Sequence, residues 1–216
     1  YGSVSAVTFI TASQFLDQNQ ITYGGHMAAA MALMESPAII LAVILASAAK
    51  SNKKQSSLNL LHKSFTDGAQ LLLIGAMIVG LFAGATGERI MAPFSIDLFK
   101  GMLAFFLLDM GLMVAKNFKQ VLNKPVYVLI YGVFAPPIHA LLALLICKIA
   151  GVDLGETILL MILSASASYI AVPAALKYAL PQANPSLYFG MSLGLTFPIN
   201  IIIGIPLYTF VAKLFF

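Results

Sequence analysis

The sequence predicts an all-α, polytopic membrane protein with broken helices, arranged as an inverted repeat whose first half is incomplete in this chain. Three observations predict it. The 216 residues are 60% hydrophobic and 9% charged, whereas a soluble domain carries charge on about a quarter of its residues, and mean hydropathy reaches +0.94. Several stretches match the roughly 20 apolar residues that cross a hydrocarbon core. Two segments share one pattern, a serine-studded piece followed downstream by a proline within an apolar helix.

The expected spans are His26 to Ala49, Asp67 to Gly87, Leu98 to Ala115, Val126 to Ala150 and Ser186 to Phe216. A further apolar stretch, Thr157 to Tyr178, carries a serine run and is expected to be interrupted. Residues 1–16 are too short to span and read as half of a broken helix, with Asp17-Gln18-Asn19-Gln20 as a polar turn. Lys50 to Lys63, rich in Lys, Ser, Asn and Gln, reads as a solvated linker. The expected organisation is residues 1–49 as the end of a first repeat, 50–63 as a cytoplasmic linker, and 64–216 as a complete second repeat of five spans. Completing the first repeat would give a five-plus-five protein with further spans before Tyr1.

Charge placement orients the spans. Lys50, Lys53, Lys54 and Lys63 share one connection and Lys116, Lys119 and Lys124 another, while Gly87 to Ile96 holds Glu88 with Arg89, and Gly151 to Glu156 holds Asp153 with Glu156. Lysine-rich short loops stay in the cytoplasm, so rich and poor loops alternate correctly. The span of the first copy then ends inside at Lys50, and that of the second ends outside near Lys213. Opposed directions are the mark of an inverted repeat, which sets two broken helices face to face near the bilayer midplane.

The formal charge of +4 is not gathered into a patch, so no nucleic-acid partner is expected. The single cysteine, Cys147, excludes an internal disulfide and a multi-cysteine metal site, and is expected to be a buried apolar thiol. No spacing matches a zinc motif, a phosphate-cradling glycine loop or a nucleophile elbow. The residues offer no enzyme and no cofactor.

Paired polar interruptions in corresponding positions of two halves point to the substrate site of a carrier. Ser3, Ser5 and Thr8 lie within Gly2-Ser3-Val4-Ser5-Ala6-Val7-Thr8, and Ser164, Ser166 and Ser168 alternate in Ser164-Ala165-Ser166-Ala167-Ser168-Tyr169. Alternation places hydroxyls on one side of an extended segment, and unwound backbone at membrane depth is tolerated only where it is buried or lines a polar cavity. Hydroxyls and free amides there, beside half-helix N-termini, suit a small oxyanion. Serines in membrane helices otherwise pack close neighbours or bond back to their own backbone. Matched clusters with matched downstream prolines, Pro37 and Pro198, favour the site.

Glu35, just before Pro37 in an apolar run, reads by default as functional. With the carbonyl freed by Pro37 it makes an oxygen site for a hard cation such as sodium; the alternative is a cytoplasm-facing or protonated glutamate. The second copy offers Thr196 and Asn200 around Pro198, with Ser164 near them, as further cation-side oxygens. Asp109 reads either as a buried acid or as a partner of Lys116, and His139 either as a proton relay or as a histidine held by a backbone carbonyl. His26 and His62 read as boundary or loop residues.

The segments Gly2 to Thr8, Glu35-Ser36-Pro37, Ser164 to Ser168 leading to Pro173, Ala183-Asn184-Pro185-Ser186-Leu187-Tyr188 and Ala135-Pro136-Pro137-Ile138-His139 resemble the sodium-dependent bicarbonate transporter family best known from cyanobacteria. The resemblance covers nearly the whole chain. It implies a ten-span, multi-pass carrier of the bacterial inner membrane, trimeric, importing bicarbonate with sodium and inhibited by a PII-like protein at the cytoplasmic face. It also implies that Ser5, Thr8, Ser166 and Ser168 contact the anion or sodium, and that Glu35 is the family's acidic residue before the proline. Two positions depart from the pattern: Val7 stands where the family has a serine, and Tyr169 where it has an aspartate.

The leading expectation is a secondary carrier importing a small anion, bicarbonate first among them, with sodium. A proton-coupled carrier of another small carboxylate, working through Glu35 or His139, is the second. A membrane protein that binds ligand without transporting it is the third.

Overall fold

The computed structural model describes residues 4–34, 41, 68–122, 125–169 and 184–216. Every secondary-structure element among them is helical. The elements are α1 (Ala6–Gln18), α2 (helical over 26–34), α3 (Gly68–Ala92), α4 (Phe99–Leu122), α5 (Val126–Ala150), α6 (Leu154–Ala165), α7 (Pro185–Met191), α8 (Phe197–Ile199) and α9 (Ile205–Phe215). Wider π-helical turns join several of them, at Pro93–Leu98 between α3 and α4, Ser192–Thr196 between α7 and α8, and Asn200–Gly204 between α8 and α9.

The prolines account for those wider turns. Proline has no amide to give and its ring presses on the carbonyl one turn back, and a local shift to i→i+5 bonding relieves the helix without breaking it. Pro198 and Pro206 follow the two π segments of the last run, and Pro93 opens the segment between α3 and α4. Pro136 and Pro137 sit inside α5 without ending it.

α6 occupies the centre. Nearly every side chain from Gly155 to Leu163 is buried, as expected of a helix apolar on all faces. Phe9, Ala12 and Leu16 of α1, Met27 and Met31 of α2, Ala140 and Leu144 of α5, and Ile205, Tyr208 and Ala212 of α9 close around it. The outer faces carry exposed large apolar side chains, among them Leu81, Phe82, Phe105, Ile149 and Phe210. Outward-facing grease around a packed core is a hydrocarbon-facing surface, where packing rather than exclusion of water holds helices together. Among the described residues, three helical runs, Gly75–Leu112, Val126–Ala150 and Leu187–Phe215, are long and apolar enough to cross a membrane.

The ends that meet fix the directions. The Gly24 amide donates to Glu156 Oε1 at 2.8 Å, which brings the turn between α1 and α2 to the start of α6. Lys148 Nζ donates to the Phe215 carbonyl and lies 4.6 Å from the Phe216 ring centroid, which brings the ends of α5 and α9 together. Since α6 follows α5 through the left-handed cap at Gly151 (φ 68°), all four ends share one face. α1 therefore runs toward that face and α6 away from it, while α2 runs away and α9 toward it. The described parts of the two halves are opposed, as the inverted repeat requires.

Three local expectations are corrected. Gly87 to Ile96 is not a loop: α3 continues helical through Glu88 and Arg89 into the π segment, and the chain bends instead at Gly84, whose φ of 53° and ψ of −150° only glycine adopts without strain. Glu and Arg are good helix formers, and the shift to π bonding accommodates the missing amide of Pro93 within the run. Asp17 and Gln18 belong to α1, and the polar turn spans residues 19–25, with Gln20 at φ 56°. The α4 helix runs to Leu122 rather than stopping near Ala115. The expected linker at 50–63 lies outside the described residues.

Candidate functional site

Each half-helix has one end at a serine, Ser5 before α1 and Ser166 after α6. α1 starts at Ala6, preceded by an extended Ser5 (φ −103°, ψ 113°) whose Oγ accepts from the Thr8 amide at 3.3 Å, a serine N-cap of ordinary type. α6 ends at Ala165, and Ser166 is extended (φ −88°, ψ 166°) with Ala167 and Ser168 following in non-helical backbone. At 1.5 Å per residue these helices measure about 20 and about 18 Å, so from a shared face both ends reach beyond the middle of a core about 30 Å thick.

The two broken ends touch. The Ser5 amide donates to Ser166 Oγ at 3.0 Å, a buried bond between residues 161 apart in the chain. Ser166 Oγ–H in turn donates to the Leu163 carbonyl at 2.8 Å, and the Ser166 amide donates to the same carbonyl at 3.1 Å. One hydroxyl thus ties the start of α1 to the end of α6. The N-terminus of α1 carries partial positive charge and the C-terminus of α6 partial negative charge, so this crossing presents an anion-favouring end and a cation-favouring end side by side.

The last helical run supports the crossing. Asn200 Nδ2 donates to the Ala165 carbonyl at 2.7 Å, capping the final turn of α6, and Tyr208 Oη–H donates to Asn200 Oδ1 at 3.3 Å. Thr196, one turn before Asn200, directs Oγ1 at the Gly132 carbonyl of α5 at 3.5 Å. Both residues border the π segments, a distortion frequent at functional sites. In hydrocarbon each of these polar groups would be costly without a partner.

The structure therefore brings together Ser5, Thr8, Ser166 and Ser168, all buried, with Asn200 beside them. Ser168 lies in non-helical backbone and is engaged in hydrogen bonding or a comparable contact. Ser164 differs from expectation: it lies in the last turn of α6, half-buried, because the helix unwinds one step later, at Ser166. Ser3, Glu35, Pro37 and Pro173 lie outside the described residues. Asp109 and Lys116 are both exposed on α4, and His139 is half-buried in α5 with a partner. Cys147 is free and buried, as predicted.

Tyr169 closes the site on the apolar side. Its ring meets Phe197 edge-on at 5.2 Å and 70° and packs with Met110 and Leu193, with Val7 against the same cluster. Val7 and Tyr169 thus belong to one apolar cluster beside the crossing. Sequence reasoning missed Tyr208, whose only signal is its place two turns after Asn200, and Gly155, whose role rests on a contact with the distant turn at Thr22.

Opposed half-helices that end in crossing, hydroxyl-bearing extended segments are a carrier's architecture. The family model described as the Na+-dependent bicarbonate transporter superfamily matches residues 1–213. The chain belongs to that superfamily. The match takes in both broken segments and most of the last helical run, so the crossing lies within the matched residues. A search for individual curated relatives gives no match. The resemblance seen in the sequence motifs is thereby upheld, and with it a transport protein of the membrane.

Proposed function

We propose that this chain forms the substrate site of a sodium-coupled bicarbonate importer of this superfamily, with the anion held at the crossing of the two broken helices. The supporting observation is the bond from the Ser5 amide to Ser166 Oγ, which joins the positive end of α1 to the extended serine segment. Bicarbonate is small, carries one negative charge and has oxygens that accept from amides and hydroxyls, a match for the N-terminal end of α1 with Thr8 and Ser168 nearby. Sodium, a hard cation, would take oxygens from Glu35 and from the C-terminal side of α6 and the last run, where Ser164, Thr196 and Asn200 stand. Its role is that of a coupling ion, and the working unit is a homotrimer in the bacterial inner membrane open to a PII-like regulator.

Glu35→Gln tests the cation half. The variant is expected to raise the half-saturating sodium concentration for bicarbonate uptake at least about tenfold, a loss of about 1.4 kcal/mol. A Glu35→Gln protein with unaltered sodium dependence would remove Glu35 from the site. Uptake that follows a proton gradient and ignores sodium would favour the carrier of another carboxylate.

A further inference from the structure

The Tyr169 hydroxyl is the one group at the crossing that the protein leaves unanswered among the described residues there. Tyr169 is 7% exposed, and its hydroxyl is buried with no hydrogen-bond partner among the described residues. The hydroxyl lies close to the Ser5 side chain but outside hydrogen-bond geometry, and Ser5 Oγ accepts from the Thr8 amide. Buried tyrosines normally find a partner for O–H, and leaving one unpaired costs about 1–3 kcal/mol. The ring is not free to swing away, since Phe197, Met110, Leu193 and Val7 surround it.

We propose that Tyr169 is a substrate contact that sets specificity, its O–H donating to an oxygen of the transported oxyanion; this rests on the functional reading given above. The chemistry favours an anion over the cation. The hydroxyl stands at the start of α1, where first-turn amides point outward and partial charge is positive, and a positive end repels sodium. A phenol also has one proton to give, and a ligand oxygen is the acceptor it lacks. Together, Tyr169 and the α1 terminus supply neighbouring donors to a planar anion with several oxygens. A donor at this place also discriminates: an anion with no acceptor oxygen aimed at Tyr169 leaves the hydroxyl unpaired and binds less well.

The test is Tyr169→Phe in the full-length protein, which keeps the ring and its packing and removes the donor alone. The expected result is a KM for labelled bicarbonate at least about tenfold higher at saturating sodium. Half-saturating sodium measured at saturating bicarbonate stays within about twofold, and the thermal unfolding midpoint in detergent does not fall. An unchanged KM, as when water alone serves the hydroxyl, would overturn the proposal. So would a shift confined to sodium, which would place Tyr169 on the cation. A wild-type protein that takes up no bicarbonate would instead overturn the reading beneath it. Wild type and Tyr169→Phe would then be compared by thermal stabilisation with formate, acetate, nitrate and sulfate: loss of stabilisation by one of them in the variant would uphold the contact, and equal responses to all four would refute it.

Discussion

Gly155→Ala is expected to leave little folded protein. A Cβ at this position would stand 2.0 Å from the Thr22 carbonyl oxygen and 2.9 Å from its carbon, and both atoms are backbone, so no rotamer change relieves the clash. Either α6 or the turn between α1 and α2 must move, at a cost at or above the top of the usual range of about 1–3 kcal/mol, since a backbone atom cannot give way by rotation. That turn sets the depth of both broken ends, because the Gly24 bond to Glu156 is made at the same place. Recovery of folded protein after detergent extraction, with its thermal midpoint, measures the effect. Gly111→Ala is the control, as nothing lies within 4 Å of its added Cβ. Equal recovery of the two variants would show that α6 and the turn are not packed as described.

Ser166→Ala has the largest effect expected on transport itself. The change removes the acceptor of the Ser5 amide and the donor to the Leu163 carbonyl, leaving a buried amide without its partner at a cost of about 1–3 kcal/mol. Through the exponential relation of free energy to rate, uptake at low bicarbonate falls about 10- to 100-fold. The core around α6 is apolar and untouched, so the protein stays folded and the loss appears in transport before it appears in stability. Ser5→Ala keeps the backbone amide and its bond to Ser166 Oγ, and loses about 1 kcal/mol from the missing N-cap to the Thr8 amide, which Ser5→Thr largely restores. Full uptake by Ser166→Ala would mean that the crossing is scaffold only.

Much of this was legible in the sequence because a lipid environment leaves few options. Backbone polar groups must be satisfied inside hydrocarbon, so apolar runs of sufficient length announce helices, and serines alternating in Ser164 to Ser168 announce a place where a helix stops. The position of Ser166 followed from that alternation; the helical state of Ser164 did not, since the exact step at which α6 unwinds is set by Asn200 reaching the Ala165 carbonyl from 35 residues away. The same limit explains the misread loop at Gly87 to Ile96. Charged Glu88 and Arg89 mark solvent in a sequence, yet both residues are at home in a helix, and only the backbone of Gly84 tells where the axis bends. Gly155 and Tyr208 act through contacts with remote segments, which leave no local pattern. Val7 and Tyr169 were legible as departures, but their packing against one cluster required the fold.

The most direct measurement is uptake of labelled bicarbonate by the full-length protein in sealed proteoliposomes at fixed pH, with and without an inward sodium gradient. Accumulation above equilibrium that appears only with the sodium gradient, and that Ser166→Ala removes, is the predicted result. Folded wild-type protein that accumulates no bicarbonate under a sodium gradient would contradict the account.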